Sequence, residues 1–231
     1  MWCLSAIRAQ WVAGGTIMKR DVRTAFLLLF LFLLLVVLLL TLDVQPIGIE
    51  QSLVGLATIN TAFHHCMGTH LLWYVITDWL GIAALLTACL FAAVGFFQLV
   101  KGKSFRRVDV SLLILGAFYI GVLALYLFFE TCILNYRPHL IAGPMEASFP
   151  SSHTLIVLFI MASANVQMPS YVSNPTAVKI LRGFSTLIIA VTILGRLYSG
   201  VHWFTDVLGG VLLGSALVLL FRATVYRGDR V

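Results

Sequence analysis

The stretch Thr24–Leu42 reads TAFLLLFLFLLLVVLLLTL, 19 residues without a charge. A bilayer core about 30 Å thick takes about 20 such residues as one helix. Lys19, Arg20 and Arg23 precede the run, as in a secretory signal. No small-residue cleavage site follows and the run is long, so it reads as a retained membrane anchor. Residues 1–17, ahead of Met18, read as an N-terminal extension with no assigned role. Residues 18–231 read as a single membrane-embedded domain.

The composition of the whole chain agrees with that anchor. Of 231 residues, 61% are hydrophobic and 10% charged, and the mean hydropathy is +1.01. Soluble domains carry about 25% charged residues. Disordered chains, collagens, disulfide scaffolds and nearly all soluble globular enzymes are excluded. Cys3, Cys66, Cys89 and Cys132 show no metal or redox spacing. Cys89, inside an apolar run, reads as a buried small hydrophobe.

Working outward, five more apolar runs follow: Gly81–Val100, Val110–Phe129, Thr154–Val166, Phe184–Leu197 and Trp203–Phe221, the last stopped by Arg222. The runs at 154–166 and 184–197 are short, and Ser163 and Asn165 weaken the first of these. Residues 43–80 read as one long connecting segment with room for an interfacial helix. The expected fold is an all-α polytopic membrane helical bundle with about six transmembrane helices.

The basic residues orient it. With the N-terminus in the cytoplasm, thirteen of the fifteen Lys and Arg residues fall on the inner side. They are Arg8, Lys19, Arg20, Arg23, Lys101, Lys103, Arg106, Arg107, Lys179, Arg182, Arg222, Arg227 and Arg230. This is the positive-inside pattern, and it places both termini inside. The net charge of +6 is therefore a topology signal, and nucleic-acid binding is disfavoured. Arg137 and Arg196 are the exceptions. They lie on the outer side with all six histidines and with Asp43, Glu50, Asp78, Glu130, Glu146 and Asp206. Trp73, Trp79 and Trp203 suit an outer aromatic belt.

Three outer pieces carry chemistry. In Tyr136-Arg137-Pro138 the proline disfavours helix at the preceding residue, which leaves Arg137 at the membrane surface with its fork free. On its own this fits an arginine snorkelling to headgroups. In Pro150-Ser151-Ser152-His153 the serines suit a helix cap, the first-turn N–H groups can face an anion, and His153 can deliver a proton. A capped helix start with an incidental histidine fits equally well. In Gly195–Asp206, His202 and Asp206 are four apart, so a helix sets them on one face. There a carboxylate can fix the imidazole tautomer, and Arg196 is carried to the same end. Ionisable groups in apolar helices are costly, which favours function for this piece. Together, two arginine forks, a helix start and two histidines compose an outward-facing phosphoryl-transfer site.

These pieces resemble the three signatures of the type 2 phosphatidic acid phosphatase family, over about residues 110–220. They are Arg137-Pro138; Pro150-Ser151-Ser152-His153; and Arg196, His202 and Asp206, continuing to Gly209-Gly210. The resemblance implies six transmembrane helices, metal-independent hydrolysis of lipid phosphates, no cofactor and a phosphohistidine intermediate. By motif position His202 resembles the nucleophile, Asp206 its orienting carboxylate and His153 the acid and base. Arg137, Ser151, Ser152 and Arg196 resemble the phosphate cradle. Three positions depart from the pattern: Glu130 where the family has lysine, Ser152 for glycine, and Gly195 for serine.

The expected protein is a plasma-membrane lipid phosphate or diphosphate phosphatase with its site on the extracytoplasmic face. Its partners are a lipid phosphate substrate and membrane lipids. Undecaprenyl diphosphate leads among the substrates, with phosphatidylglycerophosphate and phosphatidate behind. The alternatives are a lipid phosphotransferase and a lipid-phosphate-binding or translocating protein with a decayed site. A channel would carry its charges at mid-span, where this chain has almost none. His64, His65, Cys66 and His70 match no strong metal signature and read as the polar face of an interfacial helix.

Overall fold

A computed structural model describes residues 2–139, 141 and 143–228. Among these described residues are seven α-helices: α1 (Trp2–Thr41), α2 (Ala57–Met67), α3 (Leu71–Gly102), α4 (Val110–Thr131), α5 (Ser152–Gln167), α6 (Pro175–Tyr198) and α7 (Phe204–Gly228). Met18–Thr41 of α1, together with α3, α4, α6 and α7, are long and apolar enough to cross a membrane. The backbone of residues 2–17 continues α1. The protein is an all-helical, multi-pass membrane protein.

Helix α5 explains how a short, partly polar run joins such a bundle. It has only 16 residues, about 24 Å of helix, yet ten of them are buried. A helix apolar on all sides belongs inside other helices, and α5 packs against α7, α6 and α3. Two of its buried polar side chains are satisfied within the bundle. Ser163 Oγ donates to the Ile160 carbonyl at 2.9 Å, and Gln167 Nε2 to the Ser111 carbonyl at 2.8 Å. The surrounding helices turn large side chains outward, among them Phe26, Leu33, Leu40, Leu90, Phe97 and Ile120. In a bilayer such a surface meets acyl chains, so the amphipathic water-facing pattern of soluble bundles is absent.

Helices α1 and α7 make the most extensive helix pair. At one end Asp21, buried, accepts from Arg222 Nε at 2.7 Å and from Arg222 Nη2 at 2.6 Å. This pair corrects the expected stop at Arg222. Its charge is neutralised bidentately, so α7 runs on to Gly228. At the other end Phe32 stacks on Phe149 at 5.8 Å and meets Phe129 edge-on at 6.0 Å.

Two further boundaries move. Helix α3 starts ten residues before the expected Gly81, because Asp78 is paired inside the bundle instead of lying in a loop. Trp73 and Trp79 therefore sit on α3. Helix α6 starts at Pro175, capped by Asn174 Oδ1, which accepts from Thr176 N and Ala177 N at 2.9 and 3.2 Å. Cys89 is exposed on α3, where the apolar run turns it outward.

The shortened connecting segment holds α2, which docks across the α6–α7 turn. Asn60, fully buried, donates to Thr205 Oγ1 at 3.0 Å and accepts from Thr205 N at 3.1 Å. Phe63 stacks on Phe204 at 4.1 Å. Helix α2 thus closes over the end of the bundle where α5 and α7 begin and α6 ends.

Candidate active site

The site is assembled at that end from four chain segments. Gly209 and Gly210 of α7 let the segment before α5 come close. A Cβ on Gly209 would lie 2.6 Å from Phe149 Cε2, and one on Gly210 would lie 2.9 Å from the Ser151 carbonyl oxygen. Ser151 N then donates to the Asp206 carbonyl at 2.9 Å. Trp203 Nε1 donates to the Tyr136 carbonyl at 2.8 Å, which fixes the segment carrying Arg137.

Asp206 is fully buried in the first turn of α7. Its Oδ2 accepts from Trp203 N at 2.8 Å, reaching back over the helix start in the manner of a capping box. Oδ2 also accepts from the Ser148 hydroxyl, and Oδ1 accepts from Asn135 Nδ2 at 3.3 Å. His202 is not on the helix with Asp206, as the four-residue spacing implied; it lies in the turn before α7. Its Nδ1 is 3.8 Å from Asp206 Oδ2 but 3.2 Å from Ser148 Oγ. Asp206 is committed to the helix start, and Ser148 fills the gap.

That arrangement selects a tautomer. The Ser148 proton goes to Asp206, so the Ser148 oxygen is left to accept from His202 Nδ1–H. Nε2 then carries a lone pair. Burial pushes the His202 imidazole below its ordinary value of 6.5; Asp206 opposes this, and Arg137 and Arg196 add to it. The ring is therefore neutral at pH 7.

Both arginines are held by one nitrogen each. Arg137 Nη2 pairs with Glu146 at 3.0 Å, and Arg196 Nη2 pairs with Asp78. The expectation that Arg137 has a free fork is corrected accordingly, since the neighbouring segment brings Glu146 alongside it. Arg196 is fully buried, and Gly195 permits this. A Cβ there would meet Thr77 Cγ2 at 2.6 Å, so α6 lies directly on α3. His153 Nε2 lies 3.1 Å from Asp78 Oδ1.

Among the described residues, six buried nitrogens at this end have no hydrogen-bond partner. They are Nε and Nη1 of Arg137, Nε and Nη1 of Arg196, His153 Nδ1 and His202 Nε2. A buried donor without a partner costs about 1–3 kcal/mol, more when charged. Two charged forks in that state have the donors to take a multivalent anion.

Ser151 is the residue before the first turn of α5, but it does not cap it through its side chain. Its hydroxyl instead accepts from Thr154 Oγ1 at 3.1 Å. Ser152 lies in the first turn of α5 beside His153. Glu130 is exposed at the end of α4 and lines a small crevice with Ser148, Pro150 and Ser152. Of the six histidines, only His153 and His202 join the arginines. His64 Nε2 approaches the Gly200 carbonyl at 3.3 Å, and His139 Nε2 bonds Thr69 at 2.9 Å. Among the described residues, no three His, Cys, Asp or Glu side chains are grouped to hold a metal.

Beside His153 a cleft of about 370 Å³ opens between α3 and α5, lined by Asp78, Gly81, Ile82, Leu85, Ile156 and Val157. It is polar where it reaches the site and aliphatic away from it. A larger cavity of about 580 Å³ lies at the opposite end, near Arg182 and Arg222, and contains none of these groups.

Four residues of this constellation escaped the motif reading as site groups: Asp78, Asn135, Glu146 and Ser148. Asp78 carried a signal, a lone carboxylate next to an apolar run. Ser148 and Asn135 carried none beyond ordinary loop polarity.

The fold and the three motifs together define a known class. The chain belongs to the PAP2 superfamily, whose family model matches residues 111–230. Its fold is similar to that of a solved structure described as the first transmembrane PAP2 type phosphatidylglycerolphosphate phosphatase from Bacillus subtilis. The two chains are 19% identical, with a TM-score of 0.59 over 90% of this chain and 97% of that one. No curated protein sequence matches the chain.

Proposed function

We propose that this protein is a metal-independent lipid phosphate phosphatase working through a phosphohistidine on His202. The observation that carries the reading is the set of six unpartnered nitrogens on Arg137, Arg196, His153 and His202 at one buried end. In this reading the arginine Nε and Nη1 groups bind the phosphoryl oxygens, with Ser151 and Ser152 completing the cradle. The His202 Nε2 lone pair forms an N–P bond. The P–O bond to the lipid breaks with its electron pair on the lipid oxygen, which takes the Nδ1 proton of a His153 imidazolium and leaves that ring neutral. Water then forms the second P–O bond, gives a proton to His153, and the N–P bond breaks. Asp206 orients His202 through Ser148.

The cleft between α3 and α5 supports a lipid as the leaving group, since its aliphatic walls suit a chain whose headgroup rests at His153. The positive-inside charge pattern supports N-in, C-in topology with the site on the extracytoplasmic face of the plasma membrane. Undecaprenyl diphosphate, phosphatidylglycerophosphate and phosphatidate are the substrates to try first. The similar Bacillus subtilis structure, described as a phosphatidylglycerolphosphate phosphatase, favours including the second.

The test is phosphate release by purified protein in detergent across lipid mono- and diphosphates, with and without chelator. His202→Ala is expected to abolish release, His153→Ala to slow it, and chelation to leave it intact. Undiminished release by His202→Ala, or strict metal dependence, refutes the mechanism. A second reading, a lipid-phosphate-binding protein with a decayed site, is favoured only by Glu130 beside Pro150 and Ser152. Glu130→Lys separates the two. A rise from negligible to substantial turnover supports decay, and a change within about threefold supports a working natural site.

A further inference from the structure

Helix α3 lies outside the segment that matches the family model, and Asp78 belongs to none of the three motifs. Yet its Oδ1 touches two motif side chains at once, His153 Nε2 at 3.1 Å and Arg196 Nη2. In a 32-residue apolar helix Asp78 is the only acid, and the only other charge is Lys101 near the far end. A carboxylate there carries a desolvation cost that its partners must offset.

The backbone is shaped around the same contacts. Gly81 lies three residues on, on the same face of α3. A Cβ at this position would stand 3.2 Å from His153 Cδ2, so the imidazole lies against bare helix. Gly195, next to Arg196, brings α6 within contact of Thr77, next to Asp78. Two glycines on different helices thus set the two motif side chains onto one short stretch of α3.

The hydrogen-bond roles follow. A carboxylate only accepts, so His153 Nε2 donates to Asp78, and Nδ1 is the nitrogen without a partner among the described residues. The ring has one orientation, and Nδ1 is the one nitrogen that can take up a proton and, from the imidazolium, hand it to the leaving oxygen.

We propose that Asp78 is a positioning residue of the phosphoryl-transfer site. Its carboxylate fixes the His153 ring, and with it the Arg196 fork, so that proton exchange with the leaving oxygen comes from one pre-set imidazole. The proposal rests on the lipid phosphatase reading. It adds to the site a helix that the motifs do not include.

The experiment compares wild type with Asp78→Asn, Asp78→Glu, Gly81→Ala and His202→Ala in detergent, on the lipid substrate with the highest turnover. Asp78→Asn is expected to lower kcat about tenfold or more, the range of a misdirected general acid, with KM within about threefold. Asp78→Glu recovers most of that loss, because the charge and acceptor return. Gly81→Ala reproduces the kcat loss without touching the charge, which keeps the test valid if Asp78→Asn does not fold. A loss confined to KM, a glutamate variant no better than asparagine, or a rise in turnover overturns the proposal. A rise would make Asp78 a competitor of the phosphate. Wild type that releases no phosphate, or His202→Ala that still does, defeats the phosphatase reading itself and is a separate outcome.

Discussion

Ser148→Ala tests the link between His202 and Asp206. In the structure the imidazole Nδ1 is 3.2 Å from the Ser148 oxygen and 3.8 Å from the carboxylate. Removing the hydroxyl leaves a gap too long for a direct hydrogen bond. His202 then loses the acceptor that keeps the proton on Nδ1 and the lone pair on Nε2. A hydrogen bond coupled to a carboxylate contributes about 1.5–3 kcal/mol, which corresponds to a fall of about 10- to 150-fold in kcat. KM should move little, because no phosphate-binding group is altered. The stability cost is smaller, about 1–2 kcal/mol, since Asp206 keeps Trp203 N and Asn135 Nδ2 as donors. The assay is initial-rate phosphate release in detergent, paired with a thermal melt of the same preparation. Turnover within twofold of wild type in a folded variant refutes the reasoning. It would mean that the ring closes directly on Asp206 and that the hydroxyl is not in the path.

Gly209→Ala is expected to cost about 1–3 kcal/mol and to lower kcat, because its Cβ would press within 2.6 Å of Phe149 Cε2, next to Ser148 and Pro150; a melt and a rate read the two effects. Asp21→Ala leaves Arg222 unpaired at the far end of α1 and α7, so the melting temperature should fall while kcat per folded molecule stays near wild type. The acid limb of kcat/KM should lie below the ordinary histidine value of 6.5, because burial holds His202 neutral and only its protonation removes the Nε2 lone pair. Activity therefore persists as pH falls through 6.5 and is lost lower; a limb above that value contradicts the assigned environment.

Much of this protein could be read directly. Thr24–Leu42 and the runs after it specify helices because about 20 apolar residues have no other low-energy form in a bilayer. Arg137, His153, Arg196, His202 and Asp206 stood out because charged or titratable groups beside such runs are costly. Two of the boundary readings that needed correction share one cause. Asp78 and Arg222 looked like boundaries, and both lie inside helices because a partner from a distant segment neutralises them. That partner is 118 residues away for Asp78 and 201 residues away for Arg222, far outside any local window.

The sequence by itself therefore determined the helical membrane class, the distribution of charge along the chain and the residue types of the candidate site. Only the tertiary structure decided how those residues meet: Ser148 between His202 and Asp206, Glu146 on Arg137, and Asp78 on both Arg196 and His153. The physical reason is that composition and periodicity act along the chain, through the solvent each segment must face. Tautomer, fork orientation and charge compensation are set across the chain, by which helix backbones come close enough at Gly81, Gly195, Gly209 and Gly210.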